Sequence, residues 1–348
     1  MVITDLNLVK FPTTRYQGSK AKLIPWIEDV VSKLDFDTVL DAFGGTGAVS
    51  FLFKKMGKEV HYNDLLQFNY YIGVALIENN KEILTEDDIQ YVLTKHKDVN
   101  YPDFISKTFQ DIYFTDEENV WLDTITFNIR HIANKYKQAL AYFALFQACM
   151  IKRPFSLFHR KNLYVRTAQV PRSFGNKKTW DTAFDIHFRK FVAEANNIAI
   201  DNGRINVSTH TDVFEIDNPQ YDLVYIDTPY ISQKGTGVDY LDFYHFLEGV
   251  VNYEEWNSLL DTSSKHKKIK TNKNEWADKR KIKNSFYNLF DKYKEAILVV
   301  SYRDNGIPTT EELVQMLSGL NKTVAVYKRD YQYVLSTSSS KEVLIVAK

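Results

Sequence analysis

Thr-Val-Leu-Asp-Ala-Phe-Gly-Gly-Thr-Gly, at positions 38–47, is the stretch of sequence that decides the fold. Its first six residues have the apolar and β-branched composition of a short buried strand. The glycines permit a tight turn, and the helical pattern that follows them stops at Gly57, a typical position for a helix C-cap. A strand, a glycine turn and a helix in this order predict the first unit of a doubly wound α/β sheet.

Apolar segments of strand length recur on both sides of this unit. The further predicted strands are 59–62, 223–226, 296–301, 323–327 and 342–346. Helical patterns separate several of these strands, which favours a mostly parallel sheet. Because the charged segment 81–200 interrupts the alternation, we expect it to form an inserted lobe, with 1–80 and 201–348 making up the sheet domain.

Composition narrows the class of protein. The chain has 348 residues, 44% of them hydrophobic, and a single cysteine, Cys149. It can therefore bury a large core, and neither a disulfide scaffold nor a cysteine-based zinc site is expected. The sequence shows no secretory leader and no apolar run of membrane-spanning length, so we predict a cytoplasmic protein that uses no membrane and no metal.

The formal net charge is zero, because 44 Lys and Arg residues balance 44 Asp and Glu residues. The balance does not hold locally. Segment 81–120 has ten acidic residues against four lysines, 121–190 has thirteen basic residues against three acidic ones, and 265–283 has nine basic residues against two. Two basic segments interleaved with aromatic residues favour a surface that faces the phosphates of a nucleic acid.

The glycine turn points to a nucleoside and not to a nucleotide polyphosphate. It lacks the Lys-Ser/Thr pair of a P-loop and does not fit G-x-G-x-x-G, so neither ATP nor a dinucleotide is indicated. Asp64 lies near the end of the next predicted strand, about twenty residues after the turn, where a carboxylate can accept hydrogen bonds from both hydroxyls of a ribose. Turn and acid together predict a nucleoside site at the carboxyl edge of the sheet.

Asp-Thr-Pro-Tyr at 227–230 directly follows the predicted strand 223–226. Pro229 cannot donate to a ladder, so the strand stops here and leaves Asp227 and Tyr230 at the ligand edge of the sheet. The carboxylate of Asp227 and the main-chain carbonyl of Thr228 can accept the two hydrogens of a planar amine. The ring of Tyr230 can stack on the base that carries this amine.

With these motifs in this order, the chain resembles the adenine-specific DNA methyltransferases of the Dam-like alpha group, which transfer a methyl group from S-adenosyl-L-methionine to N6 of adenine. The resemblance rests on Arg-Tyr-Gln-Gly-Ser-Lys at 15–20, on positions 41–47, on Tyr-Asn-Asp at 62–64 and on positions 227–230. Weaker matches are 211–214, 300–302 and 342–345. The chain departs from the family at Thr228, where proline is most common, but only the main-chain carbonyl is needed there.

The resemblance implies a Rossmann-like S-adenosylmethionine-dependent methyltransferase sheet in 1–80 and 201–348, with 81–200 as a largely helical target-recognition lobe. It implies an enzyme that flips one adenine out of duplex DNA and methylates it. The implied cofactor-binding residues are Tyr16, Lys20, Asp41, Phe43, Gly44, Gly45, Thr46, Gly47, Asp64, Asp212, Val213 and Asp227. The implied catalytic residues are Asp227, Thr228, Pro229 and Tyr230.

The basic lobe supplies the candidate DNA contacts. They are Lys152, Arg153, His159, Arg160, Lys161, Asn162, Arg166 and Arg172, which suit phosphates or base edges. The second basic segment, 265–283, is expected to be a mobile loop that orders on DNA, with Trp276 within it and Phe286 just beyond it as the aromatic residues. The lobe contains no recognisable motif, so the recognition sequence is not predicted.

Several alternatives stay open at this point. An N4-cytosine methyltransferase uses the same amine chemistry but favours serine in place of Asp227, and an enzyme acting on RNA or on a protein amide favours asparagine there. A DNA-binding relative that has lost catalysis is a third alternative. Cytosine-C5 chemistry needs a cysteine nucleophile, whereas Cys149 follows Ala148 in an apolar run and is predicted to be a core thiol. The enzyme is either the methylase of a restriction-modification system with a cognate endonuclease, or an orphan or phage methylase.

Overall fold

The computed structural model describes residues 9–170, 177–217, 220–232, 235, 237–271, 274–331 and 340–348. The chain divides into two compact units. Unit 1 comprises Met1–Ser19, Leu66–Asp201 and Leu241–Lys270, and unit 2 comprises Lys20–Leu65, Asn202–Tyr240 and Thr271–Lys348. Each unit is therefore built from three separate segments of the chain.

The strands belong to unit 2. In chain order they are β1 (Thr38–Asp41), β2 (Glu59–Asp64), β3 (Val207–His210), β4 (Leu223–Ile226), β5 (Ile231–Ser232), β6 (Ile297–Arg303), β7 (Gly306–Ile307), β8 (Val324–Tyr331) and β9 (Ser340–Ala347). Seven of them form one sheet in the order β3-β2-β1-β4-β6-β9-β8, while β5 and β7 form a separate pair. The predicted α/β sheet is confirmed.

The sheet is parallel where the glycine turn lies. Strands β2 and β4 flank β1 in parallel, with Leu40 opposite His61 on one side and Val224 on the other. Strand β9 runs antiparallel between β6 and β8. Because parallel strands end at the same edge, the segments that follow β1, β2 and β4 come together there, and the order reverses between β1 and β4. This edge is where an open α/β sheet binds its ligand.

The helices occur in both units. They are α1 (Ile24–Val31), α2 (Ala48–Lys55), α3 (Gln67–Gly73), α4 (Glu86–Leu93), α5 (Phe104–Thr108), α6 (Asp116–Arg130), α7 (Lys135–Ile151), α8 (Leu163–Thr167), α9 (Lys177–Asp181), α10 (Phe184–Asn196), α11 (Tyr240–Val251), α12 (Trp256–Leu259), α13 (Ile282–Lys292) and α14 (Thr310–Gly319). Helix α2 follows the glycine turn, and Gly57 just beyond it has φ 76°, as predicted for a C-cap.

Unit 1 is built from helices α3 to α12. Helices α4 and α6 each begin with a capping box, in which Thr85 or Thr115 exchanges hydrogen bonds with the acid three residues later. Helix α7 is buried along almost its whole length, and Cys149 is fully buried within it. The prediction of a core thiol is therefore confirmed.

The two units can be compared with the predicted domains. Segment 81–200 lies entirely in unit 1, and so do Leu66–Asn80 and Leu241–Lys270, which the sequence analysis assigns to the sheet domain. The role of the lobe in target recognition stays a prediction. In the part of the chain that the structure describes, no helix is both long and apolar enough to cross a membrane.

Candidate active site

The glycine turn after β1 passes directly over an aromatic ring. Gly44 donates its backbone N–H to the carbonyl of Asn63 at 2.8 Å, and Gly47 donates to Gly44 at 2.8 Å. A Cβ atom on Gly44 would lie 2.1 Å from Cε2 of Tyr62. Gly45 and Gly47 have φ of 51° and 74°, the left-handed region that favours glycine. Three of the four residues of Gly-Gly-Thr-Gly are therefore glycine for steric reasons.

Asp64, at the end of β2, is tied to this turn. Gly45 donates its backbone N–H to Oδ2 of Asp64 at 2.9 Å, and the hydroxyl of Tyr62 donates to the carbonyl of Gly45 at 2.8 Å. The predicted turn and the predicted ribose acid thus form one hydrogen-bonded assembly at the carboxyl edge of β1 and β2. Thr46 is buried within it.

Asp41, the last residue of β1, lies beneath the turn and is 1% exposed. The hydroxyl of Ser50 on α2 donates to its Oδ2 at 2.5 Å. Burial raises the pKa of Asp41 to about 7, although the hydrogen bond from Ser50 acts in the opposite direction. The carboxyl group of Asp41 therefore joins the strand to the helix under the turn, and its predicted contact with the cofactor stays a prediction.

Asp41→Asn should stabilise the protein at alkaline pH. The unfolded carboxyl loses its proton near pH 3.8 and the folded one near 7, so the folded chain binds the extra proton between these values and stability falls as pH rises through this window. Asparagine keeps an acceptor for Ser50 and has no charge to bury. We expect urea unfolding to show a gain of about 2 kcal/mol at pH 8 that shrinks toward pH 4. A variant equally destabilised at both pH values would contradict this account of Asp41.

Asp227 follows β4 immediately and forms an ion pair with Lys20. Nζ of Lys20 lies 3.1 Å from Oδ1 of Asp227 and 3.7 Å from Oε2 of Glu342 on β9. The side chains of Lys20 and Glu342 are 5% and 1% exposed, whereas that of Asp227 is 18% exposed. Lys20 is therefore held between a buried carboxylate and the one carboxylate of this cluster that reaches the surface of the site.

The charge of Asp227 is finely balanced. Burial raises its pKa to about 6, Lys20 opposes this shift, and Glu342 adds to it. At neutral pH the carboxylate is therefore mostly ionised and can accept hydrogen bonds. Glu342 belongs to the weak match 342–345, but no role is predicted for it from the sequence, because nothing in the local sequence shows that a strand residue meets Lys20.

Neighbouring side chains hold the ring of Tyr230 in position. The guanidinium of Arg303 lies 5.4 Å from the ring centroid, and the ring of Tyr302 meets it edge-on at 6.3 Å between centroids. Tyr302 is fully buried and packs in turn against Phe286. Positions 300–302 are only a weak match in the sequence, and the contacts of Tyr302 and Arg303 with this ring are not predicted from it.

The remaining residues of 227–230 shape the main chain. Thr228 is 3% exposed, and among the described residues none forms a hydrogen bond with its Oγ1. The expectation that only the carbonyl of Thr228 matters stays a prediction. Pro229 lies between β4 and β5, so the sheet ladder of β4 stops before Tyr230.

Other predicted cofactor residues lie in unit 2 with defined local roles. Oδ1 of Asp212 accepts from the backbone N–H of Phe214 at 3.0 Å and caps a short 3₁₀ turn. Val213 is buried in the core of the unit, and Phe43 packs edge-on against Trp276 at 5.1 Å. Asp212 has a second carboxylate oxygen, so its predicted contact with the adenine of the cofactor stays open.

Tyr16 belongs to unit 1. Its ring stacks on Tyr244 with 4.5 Å between centroids and an interplanar angle of 8°. Nδ2 of Asn69 donates to its hydroxyl at 3.2 Å. The ring is therefore rigidly held, and its predicted contact with the methionyl end of the cofactor stays a prediction.

The family comparison decides what this arrangement belongs to. The model of the D12 class N6 adenine-specific DNA methyltransferases matches residues 16–316. The chain belongs to this family. The methyltransferase sheet, the adenine N6 specificity and the resemblance to adenine-specific enzymes are thereby confirmed, and the N4-cytosine alternative is set aside.

Individual relatives agree with the family. Type II methyltransferase M2.HphI of Haemophilus parahaemolyticus is 32% identical over 344 residues, which cover 97% of this chain and 96% of that protein. Type II methyltransferase M.FokI of Planomicrobium okeanokoites is 26% identical over 340 residues, covering 91% of this chain and 49% of that protein. Modification methylase StsI of Streptococcus sanguinis is 27% identical over 349 residues, covering 94% and 50%. This chain thus spans about half the length of M.FokI and of StsI.

Three of the predicted DNA contacts in the methyltransferase require correction, because their side chains are buried. Lys152 and Arg166 both pair with Glu118, at 2.8 and 2.7 Å. Arg153 donates to the carbonyls of Leu157 and Arg160 at 3.2 and 3.0 Å and also bonds to Asn162. These cations hold unit 1 together and do not lie on its surface.

The other predicted contacts differ in exposure. Arg160 and Lys161 are exposed, whereas His159 and Asn162 are half-buried, and Arg172 lies outside the described residues. Trp276 in the second basic segment is 6% exposed, and Phe286 just beyond the segment is 0% exposed. The expectation that these two rings belong to a mobile DNA-binding loop is therefore wrong, because both are part of the core of unit 2.

The described residues contain no cluster of three or more His, Cys, Asp or Glu side chains suited to hold a metal ion. Three polar side chains converge at the sheet edge: the carboxylates of Asp64 and Asp227 and the ammonium group of Lys20. Acceptors and a cation of this kind suit a charged nucleoside and an amine.

Proposed function

We propose that the sheet edge of unit 2 holds S-adenosyl-L-methionine at the glycine turn and the target adenine at Asp227 and Tyr230, in site-specific methylation of duplex DNA. The observation that carries the proposal is the Lys20–Asp227 ion pair at the end of β4, which leaves an ionised acceptor beside the Thr228 carbonyl. Family membership supplies the reaction, adenine N6 methylation.

The residues present fit the cofactor. Gly44 has no room for a side chain against Tyr62, and Gly45 and Gly47 have positive φ, so three residues of the turn can present only backbone to the cofactor. Asp64 would hold the ribose hydroxyls, Lys20 the methionyl carboxylate and Asp212 the adenine amino group. When bound, the cofactor supplies an electrophilic methyl group. The chain supplies position and electrostatics, so no nucleophilic side chain is required.

Asp227 and Thr228 would act on the adenine amine. The lone pair of N6 is delocalised into the ring, which makes this nitrogen a poor nucleophile. Two hydrogen bonds from N6, one to the Asp227 carboxylate and one to the Thr228 carbonyl, favour a tetrahedral nitrogen whose lone pair is directed at the methyl group. Burial raises the pKa of Asp227 to about 6, and because this value is still below neutral pH the acceptor is mostly ionised there.

Tyr230 would stack on the target base. A base inside a duplex is out of reach, so it has to be flipped out at a cost of a few kcal/mol. The Tyr230 ring is pre-positioned by Tyr302 and backed by the Arg303 guanidinium. A ring already held in place loses little freedom on stacking, which offsets part of the cost of flipping.

The biological setting is inferred from the relatives. The matched proteins are named as type II methyltransferases and modification methylases, so we propose that this methylase belongs to a restriction-modification system with a cognate endonuclease. Its proposed place of action is the cytoplasm, where the chromosomal DNA lies. Exposed Arg160 and Lys161 are the proposed DNA contacts of the lobe.

Calorimetric titration with S-adenosyl-L-methionine tests the cofactor site without DNA. Asp64→Asn keeps an oxygen for the Gly45 N–H but removes the carboxylate, so we expect binding about tenfold to 100-fold weaker than in the unsubstituted protein. Asp217→Asn, at an exposed acid of the same unit, serves as the control. An Asp64→Asn variant that binds the cofactor with unchanged affinity would remove Asp64 from the site.

A further inference from the structure

Two loops of unit 1 meet at one buried phenol. The hydroxyl oxygen of Tyr113 lies 2.6 Å from the carbonyl oxygen of Phe158 and 2.8 Å from that of His266. Nε2 of His245 lies 2.8 Å from the same hydroxyl. Tyr113 and His245 are fully buried. The backbones of the loop after α7 and the loop after α12 are therefore fixed next to each other, although more than a hundred residues separate them in the chain.

Each loop carries cations on its surface close to this junction. In the first loop, Arg160 and Lys161 follow Phe158 and are exposed. In the second loop, Lys265 is exposed and Lys267 half-buried, one on each side of His266. Within the described part of the chain, no carboxylate forms an ion pair with any of these four. The neighbouring Lys268, by contrast, pairs with Asp242 at 3.2 Å.

The first loop is rigid and also presents an aromatic ring. Arg153 fastens it through the carbonyls of Leu157 and Arg160. Phe155 and Ser156 have φ of 62° and 59°, a costly conformation for residues with side chains. Phe155 is nevertheless 58% exposed, so this backbone does not serve to bury its ring. Fixed cations beside an exposed aromatic ring suit a nucleic acid.

We propose that loop 159–161 and loop 261–270 form one surface that binds the phosphate backbone of duplex DNA, with Arg160 and Lys161 on one side of the Tyr113 junction and Lys265 and Lys267 on the other. The inference deepens the proposed function and rests on it. It also divides the second basic segment: Lys265–Lys270 contributes to this surface in unit 1, while the residues from Thr271 onward belong to unit 2.

Phosphate contacts at the proposed surface make DNA affinity depend on salt concentration by a predictable amount. Each phosphate neutralised by a protein cation releases condensed counterions, and each contact adds about 0.9 to the magnitude of the slope of log K against log salt concentration. Such contacts do not depend on base sequence, so a duplex of arbitrary sequence is a sufficient probe.

The test measures binding of a fluorescent 30-base-pair duplex over a series of salt concentrations. Lys265→Gln/Lys267→Gln and Arg160→Gln/Lys161→Gln are each expected to lower the slope by about 2 and to weaken binding at every salt concentration. The matched control is Lys81→Gln/Lys97→Gln, which removes two exposed charges from the acidic segment 81–120 and should leave the slope unchanged. All of these side chains except the half-buried Lys267 are exposed, and circular dichroism checks that each variant is folded.

An unchanged slope in Lys265→Gln/Lys267→Gln overturns the proposal, and so does an equal loss in the control. Failure of the proposed function gives a different result. In that case the unsubstituted protein transfers no methyl group to DNA, whatever the salt dependence of binding. If the unsubstituted protein methylates DNA while the Lys265→Gln/Lys267→Gln slope is unchanged, the shared surface is overturned and the proposed function stands.

Discussion

Asp227→Asn is expected to lower the rate of methyl transfer by about 100- to 1,000-fold, the cost of removing one preorganised hydrogen-bonding group from an active site. Asparagine matches the size of aspartate but carries an amide group in place of the carboxylate, so it no longer offers an ionised acceptor to N6. Lys20 keeps a carboxylate partner in Glu342, at 3.7 Å, which limits the rearrangement. Single-turnover transfer from labelled S-adenosyl-L-methionine to duplex DNA measures the effect.

DNA binding separates the chemical role of Asp227 from a structural one. We expect Asp227→Asn to bind a duplex with the same salt dependence as the unsubstituted protein, because its carboxylate takes no part in the proposed phosphate contacts. Asp217→Asn, at an exposed acid of the same unit, should transfer methyl groups at the normal rate. Normal turnover in Asp227→Asn would remove the proposed amine contact.

Gly44→Ala is expected to disrupt the glycine turn. Its Cβ atom would lie 2.1 Å from Cε2 and 2.4 Å from Cδ2 of Tyr62. The ring cannot easily move aside, because Tyr62 is fully buried and its hydroxyl donates to Gly45. Overpacking of this kind costs about 1 to 3 kcal/mol or more, and displacement of the turn should also weaken cofactor binding at least about tenfold.

Gly319→Ala is the matched control for Gly44→Ala. Gly319 ends α14, and no atom of the described residues lies within 4 Å of a Cβ atom built there. Alanine is a better helix former than glycine, so this variant should be at least as stable as the unsubstituted protein. Urea unfolding measures both stabilities, and calorimetry measures cofactor affinity. A Gly44→Ala variant with normal stability and normal affinity would contradict the close approach to Tyr62.

The sheet was largely predictable because its central strands are short apolar runs next to turn residues. β1, β2, β4 and β6 lie where the sequence predicts strands. β4 is buried throughout and β1 and β6 nearly so, and their apolar composition predicts this burial. β3 was missed. Its sequence Val-Ser-Thr-His is mostly polar, and as an edge strand it is only partly buried. A polar edge strand carries no hydrophobic pattern from which it can be recognised.

The site residues that belong to one local motif could be predicted from the sequence. The residues that contact them from distant positions in the chain could not. The turn with Asp64, and the tetrapeptide 227–230, follow from local sequence. Glu342 and Arg303 come from strands far along the chain, and nothing near them indicates that they meet Lys20 and Tyr230.

In the basic lobe, too, the sequence does not show which residues meet distant partners. Charge density predicts a phosphate-facing surface but does not tell which cations have buried partners. Arg166 pairs with Glu118, 48 residues away, so a residue counted as a DNA contact is an internal ion pair. Residues Arg160 and Lys161 look no different in the sequence and are exposed. Only the tertiary structure separates these two groups.

The most direct test of the central claim is nucleoside analysis of duplex DNA after incubation with the purified protein and methyl-labelled S-adenosyl-L-methionine. The DNA should be genomic and free of adenine methylation, so that it contains many candidate recognition sequences. We predict that the label is recovered as N6-methyladenine and is absent when Asp227→Ala replaces the unsubstituted protein. Recovery of the label as methylcytosine, or equal labelling by the Asp227→Ala variant, would contradict the account.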